Sequence, residues 1–185
     1  MKKLLIAAVV STAFISTGAF AQSATDSADL SISATVGDEC SIEDPAAVVF
    51  ADVNINEGAG PTALLLKNGS QSDTQSIYVS CNYAAKLSAT STNDGLLNAA
   101  GAALAANDAA DFTNKIEYRV LLNSTDSSFP NLDFRTKLEA SDSVTAGGAF
   151  HNDATLKVVI DRDDTSKRPV AGTYVDTAVI TLGAV

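Results

Sequence analysis

Histidine occurs once in the 185 residues, cysteine twice, and basic residues number 12 against 22 acidic ones. Each scarcity excludes something. With His151 the sole imidazole, a Ser-His-Asp arrangement would have to be built around that one residue, and neither a G-x-S-x-G elbow nor an H-E-x-x-H helix is present. His151 sits in a Gly-rich stretch and reads as a solvated loop residue. A metal centre on the thiolates of Cys40 and Cys81 would lack further ligands. The hard oxygens of Asp161-Arg162-Asp163-Asp164 suggest calcium, but no glutamate closes an EF-hand loop and Lys167 interrupts it, so the run reads as a solvated turn. The triplets beginning at Asn68 and Asn123 fit an Asn-x-Ser/Thr pattern short enough to arise by chance. The shortage of Lys and Arg argues against nucleic acid, whose phosphates need them, and against an anionic membrane surface. No catalytic, cofactor-binding or metal-ligating residue is assigned, and the chain is not read as an enzyme.

The opening Met1-Lys2-Lys3, the apolar block over 4–15 and Ala19-Phe20-Ala21 form a secretory signal peptide over 1–21 with a small-x-small cleavage site. The apolar block is too short to cross a bilayer of about 30 Å as a helix. The remaining 164 residues, 22–185, suit one soluble exported domain. Without Lys2 and Lys3 they carry 10 basic and 22 acidic residues, a net charge of about −12. Two cysteines allow one pairing, and export from the reducing cytoplasm favours a Cys40–Cys81 disulfide.

Helical periodicity is almost missing, whereas period-two alternation recurs. In 28–36, Ala28, Leu30, Ile32, Ala34 and Val36 alternate with Asp29, Ser31, Ser33 and Thr35, the mark of a strand with one apolar face. At about 3.3 Å per residue this ribbon spans roughly 30 Å. Residues 37–39 separate it from a short strand that begins at Cys40. Further strands are expected at 48–55, 62–67, 75–82, 86–92, 115–123, 132–138, 155–161 and 172–182, with turns at Asn68-Gly69 and Asn93-Asp94-Gly95. Residues 132–138 read as an edge strand. Ile77, Val79 and Cys81 share one face, as do Ile116, Tyr118, Val120 and Leu122, and Leu156, Val158 and Ile160. In the last strand Tyr174, Ala178, Ile180 and Leu182 point inward, with Asp176 a misfit at that parity. The Ala-rich 96–111 reads as a long connection with one helical turn, and the stretch 141–153 as a loop. Seven to nine short strands with turns between them predict an all-β, immunoglobulin-like sandwich.

A cysteine directly after an alternating ribbon, a second some 40 residues on, and the terminal run from Pro169 through Gly172, Tyr174, Asp176 and Thr177 to Leu182 together resemble the spore coat protein U type pilins, subunits of archaic chaperone/usher pili. The resemblance implies a sandwich lacking its last strand and completed by a donor strand. A periplasmic chaperone would first lend a strand to the groove, and at the outer-membrane usher the ribbon of the next subunit would replace it, building a homopolymer at the cell surface. On this sequence residues 22–37 would be the donor segment, with Ala28, Leu30, Ile32, Ala34 and Val36 its side chains, and 38–185 the pilin domain. Tyr174, Ala178, Ile180 and Leu182 would line the acceptor groove and pair with the chaperone, and Cys40 and Cys81 would tie the first strand to its neighbour.

The alternative is a self-contained exported sandwich that binds a ligand through its loops, with the ribbon in its own groove. The missing strand of such a sandwich would finish about 25 to 30 Å from the start of the first, and 37–39 reach only about 14 Å. If the sandwich polarity holds, the ribbon acts in trans. With fewer than twenty residues between the cleavage site and Cys40, no receptor domain precedes the pilin domain, which points to a shaft subunit serving adhesion or biofilm.

Overall fold

A computed structural model describes residues 27–99 and 109–185. The signal-peptide reading of 1–21, the start of the donor segment and most of the Ala-rich stretch lie outside them. The chain divides into two units, Met1–Val36 and Gly37–Val185. In the first, residues 27–36 are exposed and take no regular secondary structure. Among the described residues no strand pairs with 28–36, so the alternation there forms no ladder.

The second unit is all-β among the described residues. Its elements are β1 Cys40–Ile42, β2 Ser70–Cys81, β3 Ala85–Ser91, β4 Leu96–Leu97, β5 Phe112–Thr113 and β6 Lys115–Ile116, then β7 Arg119–Ser124, β8 Leu132–Arg135, β9 Ser141–Thr145, β10 Phe150–Asp161, β11 Arg168–Pro169 and β12 Ala178–Ala184. A five-stranded sheet in the order β1-β2-β10-β7-β8 faces a three-stranded one in the order β12-β3-β9, all antiparallel. These eight strands form the sandwich; β4–β6 and the parallel β11–β5 are two-residue pairings beside it.

The spine of the larger sheet is the β2–β10 ladder, in register from Cys81 opposite Phe150 to Ser70 opposite Asp161. Ile77, Val79 and Cys81 of β2, Leu87 and Ala89 of β3, Val120 and Leu122 of β7 and Leu132 and Phe134 of β8 form the buried core between the sheets. Cys40 and Cys81 stand opposite each other across β1 and β2 and are disulfide-bonded, with Cα atoms 4.2 Å apart. Both expected turns form. Gly69 lies at φ 95°, and Asp94 and Gly95 at 52° and 137°, a region glycine enters without the Cβ penalty.

Several boundaries differ from the sequence reading. Residues 141–153 are not a loop: β9 and the start of β10 occupy most of them, so His151 lies on a strand, exposed and stacked on Tyr78 with ring centroids 5.6 Å apart. Their polar composition suits exposed faces, which hides the alternation of Phe150, Asn152 and Ala154 inward. Residues 48–55 form no strand, and only Ile55 makes a bridge, to Leu66; residues 62–65 form a turn before it. β2 begins five residues earlier than expected, because its early positions are polar yet fully paired to β10. The 115–123 strand is interrupted at Glu117 and Tyr118, β8 stops at Arg135, and the last strand starts at Ala178 and continues to Ala184. Asp161–Asp164 is a turn, with the Asp163 N–H donating to the Asp161 carboxylate at 2.9 Å.

Candidate functional site

Both sheets end in a weak edge on the same side. β1 pairs with β2 over only three residues, after which the Glu43 N–H still reaches the Tyr78 carbonyl at 2.9 Å and the chain leaves the sheet. β12 pairs with β3 on one side, from Ala178 opposite Ser91 to Ala184 opposite Ala85, and among the described residues has no ladder partner on the other. Near Ala184 β1 comes alongside β12; towards Ala178 the two edges part.

Beside β12 and the segment that leads into it lie two adjoining clefts. The smaller, about 320 Å³, is floored by Val120, Leu156 and Val158 and bounded by Ala178 and Ile180 of β12. The larger, about 910 Å³, continues past Tyr174 and is lined by Val53, Ile55, Phe112, Ile116 and Val170 among others. Val48, Phe50, Leu96 and Asp176 border both.

The far wall is the irregular 45–55 stretch, held by side chains in place of a ladder. Gln75 binds both polar groups of the Ala46 backbone, accepting from its N–H at 2.7 Å and donating to its carbonyl at 3.1 Å. Gln71 accepts from the Asn54 N–H and donates to the Asp52 carbonyl, both at 3.0 Å. The two glutamines are four residues apart on β2 and stand at positions on the parity of Ile77 and Val79, so they lie on the inward side of the strand. Nothing in the polarity of the glutamines announces this use.

The terminal motif is explained by packing. At Gly172, φ 145°, an added Cβ would collide with Nδ2 of the buried Asn98, and the backbone conformation itself disfavours any other residue. The Tyr174 hydroxyl donates to the Val170 carbonyl at 2.6 Å, and burial pushes its pKa up. Asp176, the misfit of the inward set, is the most connected residue of the edge. Its carboxylate accepts from the Ser91 hydroxyl, from the Tyr118 hydroxyl at 2.8 Å and from the N–H groups of Asn93 at 3.0 Å and Thr177 at 2.7 Å. It thereby ties the approach to β12 both to the end of β3 and to Tyr118, which precedes β7 in the opposite sheet. Burial works to raise the Asp176 pKa, but these hydrogen bonds outweigh it and hold the carboxyl below its ordinary range. Burial, with the Asp176 carboxylate beside it, pushes the Tyr118 phenol well above the ordinary tyrosine range.

Of the inward set read from the sequence, Tyr174, Ala178 and Ile180 line the clefts. Leu182 does not; it is half-buried against the core where β1 approaches. The ribbon residues are all exposed, with Leu30, Ile32 and Val36 at 82, 84 and 82%. At the start of the second unit, the Asn82 side chain donates to the Gly37 carbonyl at 2.7 Å and accepts from the Glu39 N–H at 2.8 Å.

Fold and cleft together define an immunoglobulin-like sandwich with an apolar opening beside its last strand. Residues 26–181 match the family model of the Spore Coat Protein U domain, and the chain belongs to that family, which is associated with chaperone–usher pilus subunits. No curated protein and no solved structure matches the chain.

Proposed function

We propose that this protein is a non-enzymatic pilus shaft subunit that polymerises by donor-strand exchange, through a periplasmic chaperone and an outer-membrane usher, into a surface fibre for adhesion or biofilm. The observation that carries this reading is the inward face of β12. Ile180 and Leu182 are only half-buried and Ala178 is exposed, beside an apolar cleft and an unpaired strand edge. An unpaired edge over uncovered apolar pockets is what an added strand needs, since main-chain hydrogen bonds supply affinity and alternate side chains fill the pockets. The ribbon 28–36 offers such side chains, and burying Leu30 or Ile32 contributes roughly 1.5–3 kcal/mol each.

The test uses the mature chain carrying Leu30→Asp and Ile32→Asp, which disables its own ribbon. A synthetic peptide of residues 22–36 should raise its melting temperature, while a peptide with the same two aspartates should not. Variant chains that are fully cooperative and monomeric, and gain nothing from the native peptide, would instead mark a self-contained binding module.

A further inference from the structure

The edge leading into and along β12 presents five even-numbered positions, Tyr174, Asp176, Ala178, Ile180 and Leu182, and the ribbon presents five of its own, Ala28, Leu30, Ile32, Ala34 and Val36. Asp176 is the only charged member of either set. Four hydrogen bonds pin it at the junction of the two clefts, so it cannot swing aside. A bulky aliphatic side chain laid over this carboxylate would lose the pocket it needs and strip water from a charge.

Resting on the donor-strand reading above, we propose that Asp176 sets the register of the incoming ribbon. The ribbon of one copy lies antiparallel to β12 of the next with Ala34 over Asp176. That single pairing places Val36 at Tyr174 beside the larger cleft, Ile32 over the small Ala178, Leu30 at Ile180 and Ala28 over Leu182. Alanine thus falls where the carboxylate intrudes and again at Leu182, which lines neither cleft, and the large side chains fall over the clefts. A slip of two residues either way puts Val36 or Ile32 on the carboxylate. A parallel ribbon with Ala28 on Asp176 would leave Tyr174 and the larger cleft uncovered and drive Val36 to Ala184, where β1 closes in.

The backbone supports the same alignment. The Thr177 carbonyl accepts from Thr92 N–H on the β3 side at 3.1 Å, so alternation turns the polar backbone groups of Ala178, Ile180 and Leu182 to the free edge. Ser33 and Thr177 would then face each other as a non-hydrogen-bonded pair, with Cα atoms about 4.5 Å apart. That is within disulfide reach, whereas diagonal neighbours at about 7–8 Å are not.

The full-length chain is therefore expressed in cells that assemble the fibre, as Ser33→Cys with Thr177→Cys, and separately as Ser33→Cys with Val175→Cys, Val179→Cys or Thr181→Cys. Shed fibres are denatured and run on non-reducing gels, with the Ser33→Cys single variant as control. A covalent ladder from the Thr177→Cys pair alone is expected. A ladder from the Val175→Cys or Val179→Cys pair means a slipped register, one from the Thr181→Cys pair means a parallel strand, and fibres without any ladder overturn the register as well. Wild-type chains that form no fibre, or a cross-link that stays within the monomer, would overturn the donor-strand reading itself. In the same cells Ala34→Leu should lower fibre yield about tenfold or more, while Ala34→Ser assembles normally; normal yield with Ala34→Leu would sink the role given to Asp176.

Discussion

Leu132 and Phe134 on β8 and Ile180 and Leu182 on β12 alternate in the same way, yet the first pair is fully buried and the second only half so. The difference lies in the neighbours. β8 passes into β9 through residues 136–140, so the chain itself carries one sheet across to the other and closes that edge, while Phe129 and Phe150 pack nearby with ring centroids 5.3 Å apart. At the other edge β1 lasts three residues and a glutamine-held stretch stands where a strand would run. One edge is finished by covalent connection, and the other has no such connection among the described residues.

The largest effect should come from the closed edge. Phe134→Ala removes a fully buried ring and should cost about 3–5 kcal/mol, a fall in melting temperature of about 10 °C for a domain of this size. Ile180→Ala should cost less than about 2 kcal/mol because its side chain is half exposed, yet weaken uptake of the 22–36 peptide more than Phe134→Ala does at a temperature where both are folded. Equal losses of stability would erase the distinction between the edges.

Next in size is the disulfide. Its sequence separation of 41 gives about 4 kcal/mol in the chain-entropy treatment, so Cys40→Ser with Cys81→Ser should shift the denaturation midpoint by a comparable amount. Amide exchange should quicken in β1 well before β8, since without the disulfide three ladder pairs and a few flanking hydrogen bonds hold it.

Asp176 makes the open edge sensitive to acid. Because its folded pKa lies below the ordinary value, the stability it contributes is present above about pH 4 and lost as pH falls through the folded value. Asp176→Asn should therefore lower the melting temperature at pH 7, with a cost of about 2 kcal/mol for the charged hydrogen bonds, and the gap to wild type should close as pH falls below about 4 through the lowered folded value. A gap that stays constant with pH would mean that shape alone matters there.

The smallest effect is expected of Gln75→Ala, about 1 kcal/mol, read as faster exchange of the Ala46 amide with little change in β10. No change at Ala46 would show that the far wall of the cleft is held by apolar packing rather than by the glutamines.

Much of this was legible residue by residue. The faces of β2, β7 and β10, the turns at Asn68-Gly69 and Asn93-Asp94-Gly95, the disulfide and the edge position of β8 follow from patterns a few residues long. Residues 141–153 form strands against the sequence reading because β9, rich in Ser and Asp, carries little apolar signal, and Gly147-Gly148 between the two strands adds a loop signal. Residues 48–55 were misread in the opposite sense: Phe50, Val53 and Ile55 do pack on the core, but from an irregular chain. Asp176 stood out only as a break in a pattern, and its four partners lie at Ser91, Asn93, Tyr118 and Thr177, three of them far along the chain.

The sequence by itself determined which side of each strand is apolar, where the chain turns and that the two cysteines pair, because alternation, turn chemistry and cysteine count are local or arithmetical. Only the tertiary structure decided that β12 and β1 end their sheets, that clefts open beside β12, that two glutamines hold their far wall and that a carboxylate stands where they join. An edge is defined by the absence of a neighbour, and a neighbour is chosen by long-range packing that no short stretch of sequence contains.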